Sequence, residues 1–445
     1  NGRVVTSSLF ADSDPTVVVD PDGPLTFGSQ FGFDGIGKTL IEFRSGSTVF
    51  NGQAFSTLFA VYDVLFNSTT TTTFSGARQE VSGAWNVDLG AVVSVESTTA
   101  DFSDAKLDGA GDINFVNTTA NFANDPFDGS ILPLVDMSLT GSSTVEFRNK
   151  FGATVPYGGE LSLDESTSVS VSGDANFGDS ARVIGKGTLR FSGGAAAHFS
   201  GNALQDSEVA LELGDLVSVL FAPTDIATNL GAFNGPWDLS KLSEVVLQAA
   251  SSATFGAGHT LSGEGVVSFE SIGSVDYQSN PVELFDGAIG LSRVFEVKFR
   301  QGFGGVLSDP SIIITDAPPI DGTSISFDGQ STFTSAEAIV DFTVTGLNLV
   351  KVKVGSAGPA EFECDGCGID VSQIEVSAGS KASIHNAAMV FVTDQVQNLG
   401  ELEVDGGITT QEVLNSGSVR PGAPAMGPSP GLFQINNGNY VQTGT

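Results

Sequence analysis

One phrase recurs along this chain: an aromatic residue, a gap of four or five residues, an aliphatic, Gly-x-Gly, an aliphatic and another Phe. It is clearest in FSDAKLDGAGDINF from Phe102, FGDSARVIGKGTLRF from Phe177 and FGAGHTLSGEGVVSF from Phe255. The aromatic anchor by itself runs through Phe50, Phe74, Phe102, Phe122, Phe147, Phe177, Phe199, Phe221, Phe255, Tyr277, Phe303, Phe333 and Phe362. Ile384 stands in the next equivalent slot, and the steps run from 20 to 34 residues. Self-similarity at such a period predicts a solenoid, in which each unit buries its apolar face only by stacking on its neighbours.

The kind of solenoid follows from the alternation within each unit. Ile113 and Phe115, like Leu189 and Phe191, are apolar at a period of two with polar residues between them, which is the pattern of a half-buried strand. Helical repeats would need longer stretches at a period of 3.6, rich in Ala, Leu, Glu and Lys, whereas this chain favours Gly, Ser, Thr, Val and Phe. The fold class expected is therefore all-β: a right-handed parallel β-helix with coils of about 20–30 residues. The glycines at 109, 111, 185, 187, 263 and 265 are expected at its corners, where φ is positive or backbones approach closely. At a strand spacing of about 4.8 Å, about fifteen coils would make a rod on the order of 70 Å long. Residues 1–40 read as an N-terminal strand or cap segment, 41–420 as the β-helix, and 421–445 as a Pro/Gly loop with a terminal strand. The stretch between Phe303 and Phe333 is irregular and predicts a long loop leaving one coil.

The chain holds 52 Asp and Glu against 18 Lys and Arg, a formal net charge of -34. A surface of that sign repels phosphate backbones and argues against nucleic acid as a partner. No run of eighteen apolar residues suits a membrane span, so no membrane insertion is expected. The first residues, NGRVVTSS, lack both Met and a basic-then-apolar signal, as in a mature secreted chain. Two sequons, at Asn67 and Asn117, each lie a few residues before an anchor Phe and predict glycans on turns. These features together predict an extracellular or cell-surface location. Cys364 and Cys367, in ECDGCG, read as a local turn disulfide, because zinc would need two further ligands and the three His are scattered.

Glycoside hydrolysis needs two carboxylates about 5 to 10 Å apart, a condition that acids as dense as Asp101, Asp104, Asp108 and Asp112 meet without specificity. A lyase would need a basic residue beside acidic ligands, and the basic clusters are Arg182, Lys186 and Arg190, then Arg293, Lys298 and Arg300. Asp12, Asp14, Asp20 and Asp22 form an oxygen-rich stretch able to hold calcium, though without the spacing of an EF-hand loop. No other cofactor is expected. The run from Thr69 to Thr73 invites a flat threonine array of the ice-binding kind, for which later coils supply only loosely aligned Thr.

From Asn398 onward the chain carries NSGSVRPG, SPGLFQI and GNYVQ, with Asn415, Gly417, Val419, Pro421, Gly422, Ser429, Pro430, Gly431, Leu432, Ile435, Gly438, Tyr440 and Gln442 as the matching positions. This wording resembles the repeats of autotransporter passengers and related surface-adhesin β-helices, over about a tenth of the chain. Ala423 to Pro428 insert residues that the usual phrase lacks. The resemblance implies display at a cell surface. The expected function is a non-enzymatic secreted structural or adhesive subunit of a surface filament, appendage or matrix, partnered by itself or by other surface proteins. Assembly is expected through solenoid ends or donated strands, with Val4, Val5, Leu9 and Phe10 at one end and Leu432, Ile435 and Tyr440 at the other. The alternative is a carbohydrate-active or carbohydrate-binding β-helix with a polysaccharide partner. It would use loops around Pro310 to Thr323 and an exposed Trp85 or Trp237 as a sugar platform.

Overall fold

The structure, a computed structural model, describes residues 3–7, 16–29, 31–33, 37–55, 60–131, 133–282, 284–301, 303, 311–316, 323–327, 331–333, 350–354, 359–363, 368–376, 378, 381–385, 389–404, 406–421, 433–436 and 439–442. Among the described residues the fold is all-β with no helix, its parallel strands stacked as a β-solenoid of about 13 turns, consistent with a right-handed parallel β-helix. The sequence estimate of about fifteen coils is close to this. The chain divides into two compact units, Asn1–Val219 and Leu220–Thr445.

In the first unit an eight-stranded stack begins at Leu25–Phe27 and ends at Arg182–Gly185, every neighbour parallel. Beside it runs a second stack that includes Gly37–Phe43, Thr99–Gly109, Thr119–Phe122, Thr144–Phe147 and Ala210–Leu213. A third begins with Ala175–Phe177 and Ala196–Phe199. Parallel stacking already includes Thr16–Asp20 and Leu25–Phe27. The first described strand, Arg3–Ser7, runs antiparallel to Thr16–Asp20, in the register Val4↔Val19 and Val5↔Val18. In the second unit Ser252–Phe255, Ser274–Tyr277 and Glu296–Phe299 follow one another in one stack, and Val266–Glu270 and Ala288–Ser292 in another.

Alternate side chains of each strand point inward and stack on their equivalents one turn away. Ile113 and Phe115 are fully buried, as are Val145 and Phe147, with their polar neighbours facing out. Phe102, Phe122 and Phe147 stack with centroids 4.5 and 4.8 Å apart, and Phe255, Tyr277 and Phe299 with centroids 4.4 and 5.1 Å apart. Burying one such ring is worth about 1.5–3 kcal/mol, and an aromatic pair adds about 0.5–1.5 kcal/mol. Phe147 is followed in register by Val171 and then Phe191, so the apolar stacking continues turn by turn with an aliphatic residue between the rings. The third anchor column holds by backbone register too, with Phe333, Phe362 and Ile384 paired in order.

The anchor series is corrected at several steps: Phe74 is in register with Val95 rather than Phe102, Phe147 with Val171 rather than Phe177, and Tyr277 with Phe299 rather than Phe303, which packs edge-on against Phe299 at 4.7 Å. The supposed long loop between Phe303 and Phe333 is also corrected. Ser311–Asp316 pairs with Ala288–Ser292, and Thr323–Phe327 pairs with Glu296–Phe299, so both continue the stacks.

The Gly-x-Gly phrase proves to be a corner. Gly109, Gly185 and Gly263 have φ of 108°, 106° and 88°. After each, two successive amides converge on one carbonyl of the previous turn: Ala110 and Gly111 on Val87, Lys186 and Gly187 on Leu163, Glu264 and Gly265 on Leu239. A Cβ on any of the three leading glycines would lie 2.0–2.1 Å from that same oxygen. The corner is not tied to one column, however. In the first copy Gly-x-Gly leads into Asp112–Val116, and in the second it follows Arg182–Gly185, although both strands belong to the same eight-stranded stack. Between the two copies the motif has therefore moved on by one face.

Candidate functional site

The basic clusters are consumed by the solenoid itself. Arg182 reaches Glu160 at 3.5 Å, Lys186 reaches Glu208 at 3.0 Å, and Arg190 reaches Glu212 at 2.6 Å, each bridging adjacent turns. Its hydrogen bond to Glu208 raises the pKa of Lys186, the opposite of what a lyase base requires. Lys298 and Arg300 do share the outer face, and they pair with Glu296 and Asp276. The acids Asp101, Asp104, Asp108 and Asp112 are divided rather than gathered. Asp108 accepts from Ser130 Oγ at 2.9 Å, and Asp112 sits in register with Asp136. Burial, then the Asp136 carboxylate, raises the pKa of Asp112.

The sugar platform of exposed tryptophans is corrected. Trp85 and Trp237 are each 1 % exposed, packed among Phe55, Phe66, Phe74 and Phe102 in one case and Phe221, Phe233 and Phe255 in the other. An alternating pattern puts them inside, where their area stabilises the core. Pro310 lies outside the described residues, and Thr323 opens a stacked strand. The threonine run is strand Thr70–Phe74 with Thr70 and Thr72 turned inward, so it offers no flat outward array.

Both sequon asparagines are in turns, as their spacing predicts. Asn67 lies between strands Ala60–Phe66 and Thr70–Phe74, its Nδ2 3.3 Å from Glu42 Oε1. Asn117 is exposed at φ 49°, and its Oδ1 accepts from the Ser142 amide at 3.2 Å. Of the calcium candidates, Asp12 and Asp14 lie outside the described residues. Asp20 ends strand Thr16–Asp20 and accepts from Ser45 Oγ at 2.6 Å, and Asp22 is exposed in the next turn. Among the described residues no three His, Cys, Asp or Glu are grouped to hold a metal ion. Cys364, Cys367, Leu9, Phe10 and Leu432 are also outside the described residues. Ile435 pairs in register with Ile408, and Tyr440 pairs with Val413.

The C-terminal phrase has a structural reading. Asn398 and Asn415, one turn apart and buried, form an internal ladder: Asn398 Nδ2 donates to Asn415 Oδ1 at 2.7 Å, and Asn415 Nδ2 to Tyr440 Oη at 2.8 Å. Ser416 and Gly417 then direct both amides at the Asn398 carbonyl, repeating the Gly-x-Gly corner.

The site not marked in advance is a shallow polar recess in the first unit. Strand Thr99–Gly109 shifts register between Asp101 and Asp104, and beyond the shift Asp104 and Lys106 point outward while Ala105 and Leu107 are buried. Two excursions from the stacks, residues 123–131 and 148–159, come together beside them. Asp125, 7 % exposed, fastens the two: its Oδ1 accepts from the amides of Phe127 at 3.0 Å and Gly152 at 2.9 Å, and its Oδ2 from Ala153 at 2.8 Å. The recess holds about 420 Å³ and is lined by Asp104, Lys106, Asn124, Asp125, Asp128, Asn149, Lys150 and Thr154. Three amide bonds to one buried carboxylate are expected to make Asp125→Ala cost about 3 kcal/mol. That would be read as a lower urea midpoint with faster amide exchange confined to the two excursions; an unchanged midpoint would contradict the fastening role.

Compared with known protein families, curated proteins and solved structures, the chain matches none of them.

Proposed function

We propose that this chain is a secreted, non-enzymatic structural or adhesive subunit of an extracellular filament, appendage or matrix, assembled through its terminal strands. The observation that carries the reading is the pairing of those strands. Among the described strands, Arg3–Ser7 pairs only with Thr16–Asp20, and Phe433–Asn436 and Asn439–Gln442 pair only with Gly406–Asn415. A sheet edge paired on one side is a template for a further strand, and a second copy of the same chain supplies one repeatedly. Head-to-tail contacts repeated by one operator build an open filament. The surface-adhesin wording after Asn398 and the sequon turns support display outside the cell, and the acidic surface supports solubility there.

Deleting residues 1–15, which leaves Thr16–Asp20 in its sheet, should abolish assembly while the β-sheet circular dichroism signal and melting temperature stay close to those of the intact chain. Normal assembly by the folded truncation would refute the strand-based mechanism. The second reading, a carbohydrate-binding β-helix, is favoured by one observation, the polar recess at residues 104–154. A panel of acidic polysaccharides assayed for reducing ends and unsaturated products should show no release; release of either would overturn the non-enzymatic assignment.

A further inference from the structure

Two core columns run out into solvent. Ile374, Val396 and Val413 follow one another in register and are buried, but the next in line, Tyr440, is 47 % exposed. The other three tyrosines, Tyr62, Tyr157 and Tyr277, are fully buried. In the first unit Phe115, Val95, Phe74 and Phe50 are likewise buried in register. That column then reaches Phe27, which is partly exposed together with Phe31, stacked on it at 4.1 Å. A repeat unit buries its apolar face only against the next turn, and among the described residues neither rung has the further turn that would cover it.

Negative charge is withheld from the same places. The 33 residues after Glu412 contain no Asp or Glu, the longest such run in the chain, whereas 52 acids among 445 residues would put about four in a stretch of that length. Arg420 is the one charged side chain there, and residues 1–11 contain Arg3 alone. The edge strands Arg3–Ser7, Leu25–Phe27, Phe433–Asn436 and Asn439–Gln442 carry neither a carboxylate nor a proline, two of the groups that keep the sheet edges of monomeric proteins apart. Copies of net charge -34 repel one another, so a surface free of acids is where two of them can touch without setting carboxylate against carboxylate.

We propose that copies of this chain meet head to tail, the open rung at Tyr440 of one copy covered by the Phe27 and Phe31 end of the next, through surfaces kept free of carboxylates so that salt promotes the contact. Each surface lacks an apolar turn and offers an aromatic one, which is what the other needs. This contact presupposes the assembly proposed above and gives it a polarity, contact residues and a response to salt. Repulsion between like-charged copies reaches about 30 Å at 0.01 M salt and about 10 Å at 0.1 M, so added salt favours a contact without carboxylates, whereas a contact made of ion pairs weakens with it.

The test is sedimentation velocity of the full chain and its variants, with circular dichroism to check that each is folded. Raising sodium chloride from about 10 mM to about 300 mM should lower the concentration for half-assembly at least about fivefold. Tyr440→Glu and Tyr440→Gln both keep an acceptor for Asn415 Nδ2 and differ by one charge, and the Glu variant should need at least about tenfold more protein to assemble. Thr26, exposed in Leu25–Phe27, allows the same Glu and Gln comparison at the other surface without touching that bond. Ala257→Glu, on an exposed turn many strands from Asn439–Gln442 in its stack, adds the same charge and should shift assembly by less than about twofold. The two Glu variants also read the polarity: each alone should stay monomeric, and an equimolar mixture should stop at a dimer because each copy keeps one usable end. A dimer of either Glu variant alone, equal assembly of the Glu and Gln variants, or assembly that dissolves as salt rises would each overturn the proposal and leave the assembly reading standing. No assembly of the unaltered chain at either salt would refute both.

Discussion

Gly185→Ala should destabilise the first unit by about 4 kcal/mol, whereas Gly194→Ala, nine residues on, should cost about 1 kcal/mol. Both glycines have positive φ, 106° and 74°, so both substitutions carry the left-handed penalty. They differ in what a Cβ would meet. At Gly194 the nearest atom is 3.9 Å away, while at Gly185 the Leu163 carbonyl oxygen is at 2.0 Å and its carbon at 2.8 Å. That carbonyl cannot yield cheaply, because it accepts from Lys186 N at 2.8 Å and Gly187 N at 3.1 Å. Moving it breaks both bonds and the stacking register beneath them. The comparison is made by urea unfolding, supplemented by amide exchange at Lys186 and Gly187 because a stacked array need not unfold in one step. Equal costs at the two positions would mean that the corner carbonyl is not the constraint.

The second large effect is a dependence on pH set by His259. This side chain is fully buried between Phe255 at 4.7 Å and Trp237 at 5.0 Å. Its Nδ1–H donates to the Gly235 carbonyl at 2.9 Å, while Nε2 has no partner. Burial lowers its pKa to about 3. The unfolded chain, with an imidazole near 6.5, therefore binds more protons than the folded one between pH 6.5 and 3. The stability of the second unit should be intact above pH 6.5 and fall through that window, by about 4 kcal/mol from this group by pH 3. The chain's many carboxylates also take up protons on the way to pH 3, so the total pH dependence is not that of one group. The informative quantity is thus the difference between the intact protein and His259→Gln, which keeps a donor for Gly235. That difference should change by about 4 kcal/mol between pH 7 and pH 3; parallel curves would show that His259 does not couple acid to unfolding.

Where sequence reasoning succeeded, the signal was a period imposed by the backbone. Strand alternation in DINFV and TLRF follows from the geometry of a pleated strand with one buried face, and the positive φ at Gly109, Gly185 and Gly263 follows from a corner no side chain tolerates. The Phe333, Phe362 and Ile384 column was legible for the same reason. Column identity was not, because equivalent corners accept the same phrase and the motif moves from one face to the next without any change in wording. Phe303 was mistaken for an anchor because Phe299, four residues earlier, satisfies the same pattern, and only strand register separates them.

The candidate site was less legible still. Its groups are polar, all but Asp125 exposed, and come from three separate segments, and nothing in their spacing sets Lys106 apart from Lys186. Only the ion pair between Lys186 and Glu208, absent at Lys106, distinguishes them. The tell-tale in the sequence was length: the steps from Phe122 to Phe147 and from Phe147 to Phe177 are 25 and 30 residues, against 22 for the next two. The extra residues form the two excursions fastened by Asp125.

The most direct test of the proposed role is electron microscopy of the native protein, imaged without prior denaturation and paired with sedimentation velocity at the same concentration. Strand-mediated assembly predicts long regular filaments with a constant subunit repeat, sedimenting far ahead of a 45.7 kDa monomer and lost on deletion of residues 1–15. Discrete unpolymerised particles at every concentration, with a single monomer-sized boundary, would contradict it.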